Sequence, residues 1–177
     1  EGTKQADGTT SYRYDEITYY LPKSLKTVII PNTDMDAILY GSFSDCRYIE
    51  RIEITGNVRY VRDYAFYNCD RLVDIYAQEE KNADGEMVPV IGLPNTIEEI
   101  GNYAFAESIK LPYMPLPNNL KKIGKHAFEN LELIEELIMP IGVVEIGENM
   151  LRGAKSIQTL TTTFIGDKYK EPTIEVL

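Results

Sequence analysis

A two-residue marker recurs along this chain at Ser42-Phe43, Ala65-Phe66, Ala104-Phe105, Ala127-Phe128 and Met150-Leu151. The second members lie 23, 39, 23 and 23 residues apart, and 39 is one 23-residue period plus sixteen extra residues. Apolar columns keep the same register. Five residues before the marker's second member stand Ile38, Val61, Ile100, Ile123 and Ile146, and eight before stand Met35, Val58, Ile97, Leu120 and Val143. Six after come Ile49, Leu72, Leu111, Ile134 and Ile157, and nine after come Ile52, Ile75, Met114, Leu137 and Leu160. The copy from Ile123 to Pro140 carries the whole pattern without interruption.

A fixed period in the twenties is the mark of a solenoid, because one such unit is too small to bury its own apolar face and must stack on its neighbours. The core is then a set of ladders running along the stack. Within a unit, Leu25 to Pro31, Leu111 to Pro117 and Ile134 to Pro140 end in period-2 alternation closed by proline. That pattern predicts a strand with one buried face, stopped where the donor is missing. The Ile-Gly-x-x-Ala-Phe stretch sets a glycine and a small residue before a large ring, and predicts a turn leading into a short helical or 3₁₀ segment.

Ile100-Gly101-Asn102-Tyr103-Ala104-Phe105, Ile146-Gly147, and Ala65-Phe66-Tyr67-Asn68-Cys69-Asp70-Arg71-Leu72 resemble the BspA-like, or Treponema pallidum type, leucine-rich repeat. The likeness runs from about Leu21 to Thr163. Met150-Leu151 replaces Ala-Phe in the last copy, and the cysteine of the pattern survives only at Cys46 and Cys69, with Ser108, Leu131 and Ala154 elsewhere. The resemblance implies an α/β, right-handed leucine-rich-repeat solenoid, and a surface or secreted protein, usually bacterial, used for adhesion or protein binding.

Composition narrows the partners. A formal net charge of −10 argues against nucleic acid, whose phosphates demand a basic footprint, and against an anionic membrane surface. No run of about 18 apolar residues is present to span a membrane. No basic stretch followed by an apolar one stands at the N-terminus, so an exported protein would carry its signal outside these residues. At this length one domain is expected. Residues 1–20 read as an N-terminal cap or truncated repeat, with Glu1 to Thr10 a frayed start and Tyr12, Tyr14, Tyr19 and Tyr20 covering the open end of the stack. Residues 164–177 read as the C-terminal cap. The sixteen extra residues lie between Ile75 and Pro94, with a polar centre at 78–87 containing Asp84-Gly85, a tight-turn dipeptide, and predict a protruding hairpin. Pro31 to Phe43 is one residue longer than its counterparts, which predicts a local bulge.

No constellation for catalysis emerges. His126, the one histidine, falls in the column of Tyr64 and Tyr103, and reads as a surface residue without companions at zinc-ligand spacing. Glu98-Glu99 and Glu135-Glu136 are adjacent acids that alternation sends to different faces, unlike a converging acid and base. Asp34 and Asp36 lack the glycine and closing glutamate of a calcium loop. Neither a nucleophile elbow nor a phosphate-cradling glycine loop is present. No cofactor and no metal is expected. Cys46 and Cys69 share a column on neighbouring rungs, where parallel side chains point the same way; free buried thiols are expected.

If the residues six, nine and eleven after the marker point inward, those at eight and ten point outward. One outward column is Arg51, Asp74, Tyr113, Glu136 and Thr159, and the other is Glu53, Tyr76, Pro115, Ile138 and Thr161. Tyr76, Tyr113 and Ile138 stand out as large side chains held away from any core. Aromatic and β-branched residues also pair across strands for stability alone, so the column serves either purpose. The expected candidate binding residues are Arg51, Glu53, Asp74, Tyr76, Tyr113, Glu136 and Ile138. The expected function is a noncatalytic extracellular module binding a protein or surface ligand, and the alternative is a structural spacer that presents another domain.

Overall fold

The computed structural model describes residues 2–4, 10–12, 21–77, 80–88 and 90–162, with backbone alone for 2–4, 10–12, 80 and 81. Fourteen short strands follow one another in it. They are β1 (Gly2–Lys4), β2 (Thr10–Tyr12), β3 (Thr27–Ile30), β4 (Ala37–Ile38), β5 (Arg51–Ile54), β6 (Tyr60–Val61) and β7 (Asp74–Tyr76), then β8 (Glu80–Lys81), β9 (Met87–Val88), β10 (Glu99–Ile100), β11 (Lys122–Ile123), β12 (Glu136–Ile138), β13 (Glu145–Ile146) and β14 (Thr159–Thr161). The chain coils so that each turn of the solenoid contributes a two-residue strand and a turn segment, and every turn but that of β10 a longer strand as well, and like stacks on like. β3, β5 and β7 form one parallel sheet, β12 and β14 another, and the two-residue strands β4, β6, β10, β11 and β13 a continuous third.

Alternation along the longer strands decides what is buried. In β5, Ile52 and Ile54 face in while Arg51 and Glu53 face out, and β7 and β12 repeat the arrangement around Ile75 and Leu137. The apolar columns join one contiguous core. Met35 and Leu160, on the first and last coils, depart from their columns and are 54% and 46% exposed. The rings of Phe43, Phe66, Phe105 and Phe128 form a ladder along the axis, with successive centroids 5.3, 5.2 and 6.2 Å apart, and the last three rings are fully buried. The longer first connection sits between Ile30 and Ala37. Ile30 pairs with Ile54, 24 residues on, whereas Ile38 pairs with Val61, 23 residues on.

The expected helical segment after each Ile-Gly corner is absent, and turns replace it. Two residues per coil adopt left-handed backbone, two before and two after the marker's second member: Gly41 and Asp45, Tyr64 and Asn68, Tyr103 and Glu107, His126 and Asn130, Asn149 and Gly153. Left-handed backbone costs a non-glycine residue about 1–3 kcal/mol. Here it turns alternate N–H groups out of the coil and toward the next one. Phe43 donates to the Ala65 carbonyl at 2.8 Å, Phe66 to Ala104 at 2.8 Å, Phe105 to Ala127 at 2.9 Å and Phe128 to Met150 at 3.0 Å. The residues two before and two after donate likewise, as Tyr103 does to Lys125 and Glu107 to Glu129. A helix would keep these donors within the coil and leave adjoining coils without backbone bonds on this side.

Glycine is required where coils approach most closely. A Cβ on Gly101 would stand 2.5 Å from the backbone nitrogen of Asp63, and one on Gly124 would stand 2.5 Å from that of Asn102.

Two other strand expectations are corrected. Leu111 to Pro117 forms no strand, and Val88 to Pro94 contributes only β9 and one antiparallel bridge, Ile91 to Tyr76. The chain leaves the stack after Ala77, forms the β8–β9 hairpin around Asn82 to Glu86, and returns antiparallel beside β7. Ala77 donates to Val90 and Gly92 donates to Ile75, both at 2.7 Å. The returning segment therefore takes the β7 edge that Leu111 to Pro117 would occupy. Pro115 stands in the place of Glu53, where the parallel register needs an N–H aimed at the preceding coil, and proline has none. At the N-terminus β1 pairs with β2, Gly2 opposite Tyr12, so Gly2–Lys4 and Thr10 are strand rather than frayed, while the rest of the expected frayed start lies outside the described residues. Residues 13–20 and the side chain of Tyr12, expected to cap the stack, lie outside the described residues, as do residues 164–177.

Phe105→Ala, with a buried ring on each side, is expected to cost about 3–5 kcal/mol in chemical unfolding. Gly124→Ala is expected to cost about 1–3 kcal/mol, although alanine stabilises most backbone it enters. An unchanged unfolding midpoint in either variant would contradict the stacking register.

Candidate functional site

Six of the seven residues expected on the outward face lie there, on β5, β7 and β12, and the seventh, Tyr113, lies on the coil that forms no longer strand. Parallel pairing sets Arg51 beside Asp74 and Glu53 beside Tyr76. The Arg51 guanidinium reaches the Asp74 carboxylate at 3.3 Å and lies 4.9 Å from the centroid of the Tyr76 ring, so these three side chains form one cluster. Tyr113, 52% exposed, lies on the proline-rich coil, and Glu136 and Ile138, the latter 55% exposed, lie on β12. The structure adds Ile91. Its bridge to Tyr76 places the two side chains on one face, and it is 53% exposed. Gly92 follows it with positive φ, and a Cβ there would stand 2.6 Å from the Pro115 ring, which puts the returning segment directly between β7 and the coil of Tyr113. The face thus runs from the Arg51 cluster through Tyr76 and Ile91 to Tyr113, Pro115 and Ile138. The signal for Ile91 was present in the strand-like spacing of Val88, Ile91 and Leu93; its antiparallel return was not.

Among the described residues no backbone hydrogen bond joins 112–116 to β12, while β12 is fully paired with β14 on its other side. The strand ladder is interrupted at the centre of this exposed apolar strip. The two-residue strands on the other sheet cross the same region without a break, since Ile100 pairs with both Val61 and Ile123. The insertion perturbs one face only.

The other faces are occupied by structural networks. Glu98 receives Arg59 at 2.8 Å and Lys121 at 2.7 Å, Glu99 faces Arg62, and Lys122 meets Glu145 at 3.0 Å. Hydrogen bonds from Lys121 and then Arg59 hold the Glu98 carboxyl below its ordinary pKa. Glu50 is lowered in the same way by Lys26. These acids are committed to ion pairs between coils. His126 departs from the expected surface residue, because only 15% of its side chain is exposed. Its ring stacks on Tyr103 at 4.6 Å, extending the Tyr40, Tyr64 and Tyr103 series, and Nδ1 lies 2.8 Å from Glu129. Asp63 accepts both the backbone and the side-chain N–H of Asn102, whose own Oδ1 accepts the Lys125 N–H at 2.8 Å.

Cys46 and Cys69 are free, but of the two thiols expected to be buried Cys46, on the first coil, is only partly so. The Cys69 thiol is fully buried and donates to the Phe43 carbonyl at 3.2 Å, and Ser108 donates to the Phe66 carbonyl at 3.1 Å from the same column one coil on. That column supplies a small donor to the preceding coil, which cysteine and serine both fit. Burial pushes the pKa of both thiols up, so neither is primed as a nucleophile. Among the described residues no group of three or more His, Cys, Asp or Glu side chains is placed to hold a metal, and no helix is long and apolar enough to cross a membrane. A notch of about 240 Å³ opens between Asn57, Ala77, Val90, Asn95 and Asn119 at the base of the insertion. It is smaller than the roughly 300–1,000 Å³ of a small-molecule pocket, which leaves the strand face as the larger candidate.

A coil of about 23 residues, with aliphatic columns inward and parallel strands stacked along one side, defines a leucine-rich-repeat solenoid. The sequence profile of the BspA type leucine rich repeat region matches residues 14–88 and 84–168. The chain belongs to that family. Among solved structures it is similar to a leucine-rich repeat protein from Bacteroides ovatus, at 26% identity and a TM-score of 0.65 over 85% of this chain and 41% of that one. A leucine rich cell surface protein from Faecalibacterium prausnitzii shares the fold at 22% identity, with a TM-score of 0.64 over 95% of this chain and 38% of that one. The T. pallidum leucine rich repeat protein does so at 19% identity, with a TM-score of 0.65 over 91% and 78% of the two chains. The chain thus spans well under half of the first two proteins. No curated protein matches it significantly.

Two outcomes follow. Glu98→Gln should lower stability relative to the parent at neutral pH. Because the folded carboxyl has the lower pKa, the difference is fully present above the unfolded value of about 4.3 and is lost as pH falls through the folded one. Unfolding at pH 7 and pH 3 checks this. Thiol labelling should find both cysteines reactive in the unfolded, unreduced protein and slow in the folded one; absence of reactive thiols after unfolding would mean a bond.

Proposed function

We propose that this chain is a noncatalytic protein-binding or adhesion module acting outside the cell, and that the outward strand face is its contact surface. The observation that carries this reading is the exposure of Ile91, Tyr113 and Ile138 on one face beside Tyr76. Strand backbone holds these large side chains away from the core, and tyrosine and other large side chains supply much of the energy at binding surfaces. Membership of the BspA-type family supports an interaction role, and the surface protein of Faecalibacterium supports, by fold, a place at the cell exterior. The acidic composition disfavours nucleic acid as the partner. A second reading is favoured by the share of the relatives that the chain spans, 41% and 38%: in a longer protein these coils serve as a spacer that presents another domain.

The test is a pull-down from host and bacterial surface extracts, followed by measurement of affinity for any captured protein. Replacing Tyr76 and Tyr113 together with serine should weaken binding about tenfold or more, the effect of losing one or two anchoring side chains, with a small change in melting temperature. Unchanged affinity with a lowered melting temperature would assign the face to stability and favour the spacer.

A further inference from the structure

Charge on the strand face is unevenly distributed. Its two outward columns carry one cation, Arg51, already engaged by Asp74 at 3.3 Å. Glu53 and Glu136 make no ion pair among the described residues, whereas Glu50, Glu98, Glu99, Glu132, Glu145 and Glu148 are each matched across coils. The hairpin that leaves the stack after β7 carries two further exposed acids, Asp84 and Glu86. Tyr76 and Ile138 thus each stand beside a carboxylate, Glu53 and Glu136, that makes no ion pair among the described residues.

Elsewhere in the molecule the chain places cations in register with acids. Lys26 meets Glu50, Arg59 and Lys121 meet Glu98, and Lys125 meets Glu148. On the strand face Arg51 and Asp74 keep this matching, while Glu53 beside Tyr76 and Glu136 beside Ile138 stand outside it. Unmatched acids beside an apolar strip repel a second copy of the same face, and they repel acidic partners. They favour, by complementarity, a partner that brings positive charge with its apolar groups.

We propose that the strand face binds a basic segment of another protein, one that sets apolar side chains over Tyr76, Ile91, Tyr113 and Ile138 and directs lysine or arginine toward Glu53 and Glu136. This rests on the binding-module reading and gives the partner its chemistry. Ile91 and the hairpin both come from the sixteen-residue insertion, so the insertion converts a regular stretch of solenoid into a specific surface.

The test uses the whole chain and two synthetic twelve-residue peptides, one alternating lysine with valine and tyrosine, the other identical with glutamate for each lysine. At low ionic strength the lysine peptide should bind about tenfold or more tightly than the glutamate peptide, and added salt should weaken it. The double variant Glu53→Gln, Glu136→Gln should lose about fivefold or more, as should Ile91→Ser with Ile138→Ser, while Glu145→Gln on the opposite sheet should stay within about twofold. Equal binding of the two peptides, an equal loss in Glu145→Gln, or no saturable binding of the lysine peptide up to millimolar concentration would overturn the proposal. So would self-association of the chain that Ile138→Ser abolishes, since the face would then receive a second copy. A captured partner that depends on Tyr76 and Tyr113 but is indifferent to Glu53 and Glu136 would overturn this inference alone and leave the binding-module reading standing.

Discussion

Backbone hydrogen bonds between successive coils are the interaction on which everything else depends. Each coil is too small to hold a core, and its apolar columns are buried only when the next coil lies about one strand spacing away. On the two strand sides the later coil donates back to the earlier one, as Arg51 does to Lys26 and Gly124 to Ile100. On the turn side the direction reverses, and the earlier coil donates forward through alternate residues of the left-handed turn. The strain of two left-handed residues per coil is offset by interactions that would otherwise be lost, because a buried unpaired N–H costs about 1–3 kcal/mol. Close approach of the coils at the corners then excludes any side chain, which is why glycine stands at 101, 124 and 147.

Because one side of the stack carries continuous two-residue strands and the other carries longer ones, the molecule can accommodate an insertion on one side without losing its axis. The phenylalanine ladder passes the insertion with a 5.2 Å step between Phe66 and Phe105, although 39 residues separate them. The longer strands are not so indifferent. The returning segment of the insertion occupies the β7 edge, and Pro115 cannot donate in its place, so the next coil sits beside rather than within the sheet. Apolar side chains that a regular ladder would crowd together are spread over a broader surface.

Charge is arranged with the same period as the core. Carboxylates and cations 23 or 39 residues apart meet across coils, and Glu98 between Arg59 and Lys121 is the clearest case. Such exposed pairs contribute little individually, and on the strand face Arg51 pairs with Asp74 while Glu53 and Glu136 make no ion pair among the described residues. The chemistry at His126 follows the same logic. Stacking on Tyr103 and contact with Glu129 make it a member of a ring series.

The sequence by itself determined the period, the inward columns and the outward positions, since each follows from side-chain polarity repeated in register and needs no knowledge of the path between repeats, and its motif residues carried the resemblance to the family. It also determined where the extra residues lie, because Ile75 and Pro94 fit the repeat and the residues between them do not. Tertiary structure alone decided the conformation after each Ile-Gly corner, where a short helix and a left-handed turn demand similar residues locally and differ only in whether a neighbouring coil is present to accept the N–H groups. It likewise decided the fate of Leu111 to Pro117. Its spacing is that of a strand, yet the edge it needed was taken by Val90 to Gly92, which only the returning insertion could bring there. Ile91 joins the candidate face for the same reason: alternation gives a side chain a direction relative to its own strand, and only packing decides which face of the molecule that strand lies on.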